Sequence, residues 1–186
     1  MDRRHRKKLP AVWLMTDERV DDALLLAAAS RLPKGRAGII FRHYRTEGPD
    51  RHRLFARLKS IALRRRLTLM LGGSARQAAA WRADGWHGRD CRRARRPLLH
   101  SAPAHDGREM EAARRAGADF LLLSPLFPTR SHPGGRSLGR ARFGLLSRQA
   151  RRPVIALGGV RAEHRRMLKA LGAAGWAGID GLGGRV

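Results

Sequence analysis

The sequence predicts an α/β fold, a compact (β/α)8 TIM barrel, and three observations predict it. Eight short apolar runs alternate along the 186 residues with segments of helical periodicity. That is the order of a parallel sheet covered by helices. The runs Phe120 to Leu123 and Val154 to Leu157 carry apolar residues without alternation, so both faces of each strand should be covered. Both runs lead into loops rich in glycine, one reaching from Ser124 to Gly135 and the other beginning at Gly158-Gly159. In such folds the loops at the strand C-terminal ends hold the ligand. An open doubly wound sheet is the second architecture this order allows.

Residues 1–10 read as a basic disordered tail and 11–186 as a single domain. Val12 to Met15 is the first strand, and Glu18 to Leu32 an Ala/Leu-rich helix stopped by Pro33 and Gly35. Ala37 to Phe41 is the second strand, with Arg42, His43 and Tyr44 at its C-terminal end. Arg51 to Arg65 is an amphipathic helix with Leu54, Phe55, Leu58, Ile61 and Ala62 on one side. Leu67 to Leu71 is the third strand, and Ser74 caps a helix running to Arg82. Asp84 to His87 is the fourth strand, and the charged stretch 89–97 leaves only a vestigial fourth helix. Leu98 opens the fifth strand, Asp106 caps the helix to Ala116, and Gly117 stops it. Asp119 to Leu123 is strand six, Ala141 to Ala150 a helix, Val154 to Leu157 strand seven, Arg161 to Leu171 a helix and Gly175 to Ile179 strand eight.

The chain is shorter than the roughly 200 residues at which such barrels usually begin. The stub after strand four and the absence of a helix after strand eight account for the economy. A missing last helix predicts apolar strand surface uncovered where strands eight and one meet. A second copy, as a homodimer, or the N-terminal tail should cover that seam.

No stretch is long and apolar enough for a membrane span, and Ala11 to Met15 is too short for a signal-peptide core, which places the protein in the cytoplasm. Cys91 stands alone among arginines and reads as a surface thiol whose pKa the flanking charge lowers. The net charge is +25. A field of that sign attracts phosphorylated small molecules. The arginines are dispersed over most of the chain and aromatics are sparse, which argues against a nucleic-acid partner; a nucleic-acid-binding barrel is kept as an alternative function.

Three motifs carry a family resemblance: GADFLLLSPLFPTRSHPG (117–134), PVIALGGV (153–160) and ADGWH (83–87). In order and spacing, over roughly residues 10–182, the chain resembles the thiamine-phosphate synthase/TenI family. The resemblance implies a transferase that couples a pyrimidine-methyl pyrophosphate to a thiazole phosphate with Mg2+, or a TenI-type isomerase that tautomerises the thiazole using a histidine. Its partners are phosphorylated thiazole or pyrimidine small molecules.

Residue by residue, Gly158 and Gly159 after strand seven let backbone N–H groups approach a phosphate. The turn from Gly178 to Gly181, which includes Asp180, supplies the other half of the cradle. Thr129 and Ser131 match the family's paired hydroxyls, and His132 stands where the family has lysine. Arg42 matches the arginine of a Gln-x-Arg-x-Lys motif whose other two positions are here Ile40 and Tyr44; it can hold a phosphate bidentately. The family's Asn-Asp pair falls on Gly72-Gly73, which offers no side-chain oxygen for a hard cation. Asp90 is the nearest remaining carboxylate, so Mg2+ is a doubtful cofactor and no metal ligand is assigned firmly. His105 aligns with the histidine after strand five and is the expected proton-transfer residue, with His100 and His87 ranked behind it.

Overall fold

The computed structural model describes residues 9–46, 48–90, 97–129 and 136–179. Eight parallel strands close into one barrel in chain order: β1 (Val12–Met15), β2 (Ala37–Phe41), β3 (Thr68–Gly72), β4 (Gly85–His87), β5 (Leu99–Ala104), β6 (Phe120–Leu123), β7 (Val154–Ala156) and β8 (Gly175–Gly178). β8 pairs back onto β1, with Val12 opposite Trp176 and Leu14 opposite Gly178. The closed ring excludes the open doubly wound sheet. Between the strands run α1 (Asp22–Arg31), α2 (Gly48–Arg65), α3 (Ala75–Ala80), α4 (Gly107–Arg115), α5 (Gly139–Gln149) and α6 (Arg165–Ala170).

Strand alternation sorts the apolar residues into two layers. Trp13, Met15, Ile40, Met70, Phe120 and Ile155 fill the barrel. Leu14, Ile39, Leu69 and Leu71 face outward onto α1 and α2, and Leu121, Leu123 and Ala156 lie in the matching layer with Met110, Phe143 and Leu168. Full burial of each large side chain contributes about 1.5–3 kcal/mol. Gly38 is required inside the ring, because a Cβ there would lie 2.3 Å from the Trp13 ring. Trp13 stacks on Phe120 with centroids 5.0 Å apart and donates its indole N–H to Pro10 O at 2.7 Å.

Several boundaries move for local reasons. α1 starts at Asp22, not Glu18, because Asp21 caps it by accepting from Ala23 N and Leu24 N. The Glu18 carboxylate instead accepts from Arg45 N at 2.9 Å and Thr46 N at 3.1 Å, tying down the loop after β2. β3 starts one residue late, since Arg66 turns the chain out of α2 with φ +54°. The helix expected from Arg161 is a 3-10 turn, Ala162–His164, that runs into α6. Ser74 and Asp106 cap α3 and α4 as expected.

Residues 91–96 and 180–186, where the stub helix and the absent last helix were placed, lie outside the described residues, as does Cys91. At the β8–β1 seam Leu14 is 2% and Trp176 4% exposed. Among the described residues no exposed large apolar side chain lies on either strand. The strand faces at the seam are therefore covered among the described residues, and most of the N-terminal tail lies outside them.

Candidate active site

Helices return antiparallel to the strands, so every strand-to-helix loop opens at one end of the barrel. At that mouth, between the ends of β6, β7 and β8, lies a cavity of about 450 Å³. Thr129, Gly158, Gly159 and Gly178 line it, together with Arg140, Arg161 and His164. Gly178, which opens the second glycine turn, is thus at the same end of the molecule as Gly158 and Gly159.

Gly158 and Gly159 have φ of +92° and +63°. A Cβ on Gly158 would lie 2.7 Å from Pro125 Cα, and one on Gly159 2.7 Å from Phe127 Cβ and Pro128 O. Part of the glycine requirement is therefore packing: the chain leaves β6 through a cis Ser124–Pro125 bond and folds over the β7 turn. Leu126 N donates to Leu157 O and Phe127 N to Gly158 O, which pins the two loops together. The N–H groups of Gly158, Gly159 and Val160 donate to no described residue. All three residues line the cavity, and successive free backbone donors are a feature suited to an anion. The flanking guanidinium groups of Arg140 and Arg161 add charge of the right sign.

His164 was not anticipated from the sequence. Its Nδ1 accepts from Arg161 N at 3.2 Å, its ring lies 5.1 Å from Phe127, and its Nε2 is 3.7 Å from Glu163 Oε1. A histidine three residues into a helix start is the signal that could have found it.

Arg42 and His105 do not line this cavity. Arg42 continues the inward-facing positions Gly38 and Ile40 to the mouth end of β2. Its Nε donates to Thr16 O at 2.9 Å, and its Nη groups have no partner among the described residues. Burial lowers its pKa from the ordinary arginine value, against the neighbouring Tyr44 and the Asp17 carboxylate. His105 follows β5 on the rim, with half of its side chain exposed; its Nδ1 is 2.7 Å from Glu109 Oε2 on the first turn of α4. Partial burial would raise the Glu109 pKa. The hydrogen bonds from the His105 side chain and backbone, with Arg89, together hold that carboxyl below its usual range. Ser131, His132 and Asp180 lie outside the described residues.

His87 sits deeper than expected, 5% exposed, inside the barrel at the end of β4. The β4–β5 register sets it beside Ser101, whose Oγ is 3.0 Å from Nδ1 and 4.0 Å from Met70 Sδ. Burial, reinforced by the charges of Arg42, His100 and Arg89, lowers its pKa to about 3, so the ring is neutral. His100 points the other way; it stacks on Trp86 at 4.2 Å and its Nε2 bonds Gly88 O, a structural role.

The end of β3 carries cations where a metal site would need carboxylates. Arg51 Nη2 donates to Gly72 O at 2.7 Å and to Arg42 O at 3.1 Å, and Nη1 to Gln77 Oε1 at 3.3 Å. The guanidinium lies over Phe41 and Trp81. A side chain on Gly72 would start 2.8 Å from Tyr44 Oη. Half-buried Asp90 is the one carboxylate after β4, and no group of three or more His, Cys, Asp or Glu positioned for a metal occurs among the described residues. Mg2+ keeps several waters and takes one or two carboxylates plus substrate phosphates; Gly72 and Gly73 offer it no side-chain oxygen here, which leaves Asp90.

Among the described residues no helix is long and apolar enough to cross a membrane. The sequence model of a family described as "Thiamine monophosphate synthase" matches residues 12–182. A putative thiamine-phosphate synthase 2 of Aquifex aeolicus is 27% identical over 181 residues, covering 93% of this chain and 97% of that one. A thiamine-phosphate synthase of Thiobacillus denitrificans is 29% identical over 184 residues, covering 92% and 86%. Among solved structures, the thiamine phosphate pyrophosphorylase of Pyrococcus furiosus superposes with a TM-score of 0.78 at 22% identity, covering 97% and 90%, a likeness of fold.

Proposed function

The chain belongs to the thiamine monophosphate synthase family, and from that premise we propose that it acts at the coupling of a pyrimidine-methyl pyrophosphate to a thiazole phosphate. The observation that carries this reading is the run of unpartnered N–H groups at Gly158, Gly159 and Val160, opening on a cavity shared with Thr129 and Gly178. A phosphate monoester there accepts from all three, and the side chains of Ser131 and His132 with the backbone N–H of Asp180 are assigned to the same anion. The thiazole ring then extends over the barrel centre.

In the coupling, the bond between the pyrimidine methylene carbon and the pyrophosphate oxygen breaks, and the oxygen keeps the electron pair. The thiazole nitrogen lone pair forms the new C–N bond. This chain's contribution is to neutralise the departing charge with Arg42, at the mouth end of β2, and to hold the two partners in line. Neutral His87 lines the floor without adding a cation beneath the pyrimidine. Thiamine-phosphate synthases use Mg2+; the donor set here points to guanidinium groups in its place.

A second reading, a TenI-type thiazole tautomerase, has its own support. Glu109 holds Nδ1 of His105, which leaves Nε2 as a lone-pair base. The test is incubation with both synthase substrates and Mg2+, followed by mass spectrometry for thiamine phosphate. Product formation that falls at least about tenfold in Arg42→Gln supports the coupling reading. Absence of product with retained binding of thiazole phosphate removes it. Isomerisation of the thiazole precursor that is lost in His105→Ala then establishes the tautomerase.

A further inference from the structure

The end of the barrel opposite the mouth gathers charge that the sequence scatters. No Asp or Glu stands between Asp22 and Glu47, or between Asp50 and Asp84. In a closed barrel every helix-to-strand loop meets at the strand N-terminal end, so the cations ending successive helices become neighbours. Arg31, Lys34 and Arg36 surround the loop from α1 to β2, and Arg64, Arg65 and Arg66 end α2. The two loops touch: Gly35 N donates to Arg65 O at 2.9 Å, and Arg65 Nη2 to Leu32 O at 2.6 Å. Apart from half-buried Arg65, all of these side chains are exposed, and none is ion-paired among the described residues. Arg151 and Arg152 carry the same sign to the loop before β7.

The helix dipole does not account for this concentration. Each helix C-terminus presents about half an elementary negative charge, so two helices offset about one cation. Nor are the local carboxylates enough, since Asp84, Asp119 and Glu111 are three against the eight cations named above. Asp84 accepts from Leu69 N, Asp119 from His100 N, and Glu111 pairs with Arg114.

We propose that this strand N-terminal end, centred on the cations that close α1 and α2, is a binding surface for the phosphodiester backbone of a nucleic-acid duplex. Arginine forks take phosphate oxygens in pairs. The one strongly exposed large aromatic, Tyr44, is at the other end of the barrel, so the surface has no platform for stacking single-stranded bases. Its one exposed large apolar side chain is Leu63, too little to anchor in lipid. Contact is therefore through phosphates, independent of base sequence and steeply salt-dependent.

The test is fluorescence anisotropy with a labelled DNA duplex of about 24 base pairs over a range of salt. The patch triple Arg36→Gln, Arg64→Gln, Arg66→Gln is compared with a mouth-end triple of equal charge change, Arg76→Gln, Arg108→Gln, Arg142→Gln. The patch triple should lose at least about tenfold in affinity and flatten the logarithmic salt slope by about 2.7, or about 0.9 for each phosphate no longer neutralised. The mouth-end triple should stay within about twofold. Equal losses in both triples, tighter binding to phosphatidylserine vesicles than to duplex, or no duplex binding at low salt would overturn the proposal. Formaldehyde crosslinking of the unaltered protein to the duplex keeps the question decidable if the patch triple does not fold. A peptide crosslinked at Lys34 or at Lys169, which ends α6 at the same face, supports the surface, and crosslinks at other lysines without either refute it.

Discussion

His87 gives the most direct stability prediction. Its folded pKa is about 3 against an ordinary value of 6.5. The unfolded chain therefore binds more protons than the folded one throughout that interval, so stability rises with pH there. The contribution is fully present above about pH 7 and is lost as pH falls from the unfolded value toward the folded one. With those two values, this one group makes the protein about 2 kcal/mol less stable at pH 5 than at pH 8, and full protonation corresponds to about 5 kcal/mol. The perturbation is His87→Gln, which keeps polar groups beside Ser101 Oγ but does not titrate. Urea unfolding of both proteins at the two pH values gives the four free energies. The loss on acidification should be about 2 kcal/mol smaller in the variant, whatever its own stability at pH 8. Equal losses in the two proteins would mean that the ring is not held neutral by its place inside the barrel.

Other outcomes follow from the same geometry. Gly159→Ala forces a side chain onto φ +63° and to within 2.7 Å of Phe127 and Pro128; it should lower stability by about 1–3 kcal/mol and remove the thermal shift caused by thiazole phosphate. A variant that keeps the full shift would detach the β7 turn from the anion site. Arg51→Leu leaves Gly72 O and Arg42 O without their donor and should cost about 1–3 kcal/mol in urea unfolding. Arg51→Lys should not restore this, because an ammonium cannot fork between the two carbonyls. Asp21→Ala removes the cap of α1 and should lower stability by about 1 kcal/mol by the same measurement.

The strands were the most legible part of the chain. Val12–Met15 and Ala37–Phe41 stand where their apolar runs placed them, because an unbroken run bounded by polar and glycine residues has one way to be buried on both sides. Helix starts were less legible. Glu18 looks like a first-turn acid, yet its carboxylate holds the backbone of a loop more than twenty residues later. The glycine turns and Thr129 could be placed at the mouth from their strand-end positions alone. The His87–Ser101 pair could not, since it depends on the register between β4 and β5 rather than on spacing along the chain. Arg51 was hidden for another reason: in sequence it is one cation among many, and only the meeting of the β2 and β3 carbonyls singles it out. The dispersed arginines likewise became a surface only once the topology brought separate loops to one end.

Ring closure through β1 and β8 also bears on how the protein is made. At about 5–20 residues per second, a ribosome needs roughly 10–30 s to pass from Val12 to Trp176. During that interval the first strand has one edge paired to β2 and the other open to any extended segment in reach. The nascent polypeptide is therefore most prone to mispairing just before β8 emerges, and a chaperone that shields the free edge of β1 would act in that window.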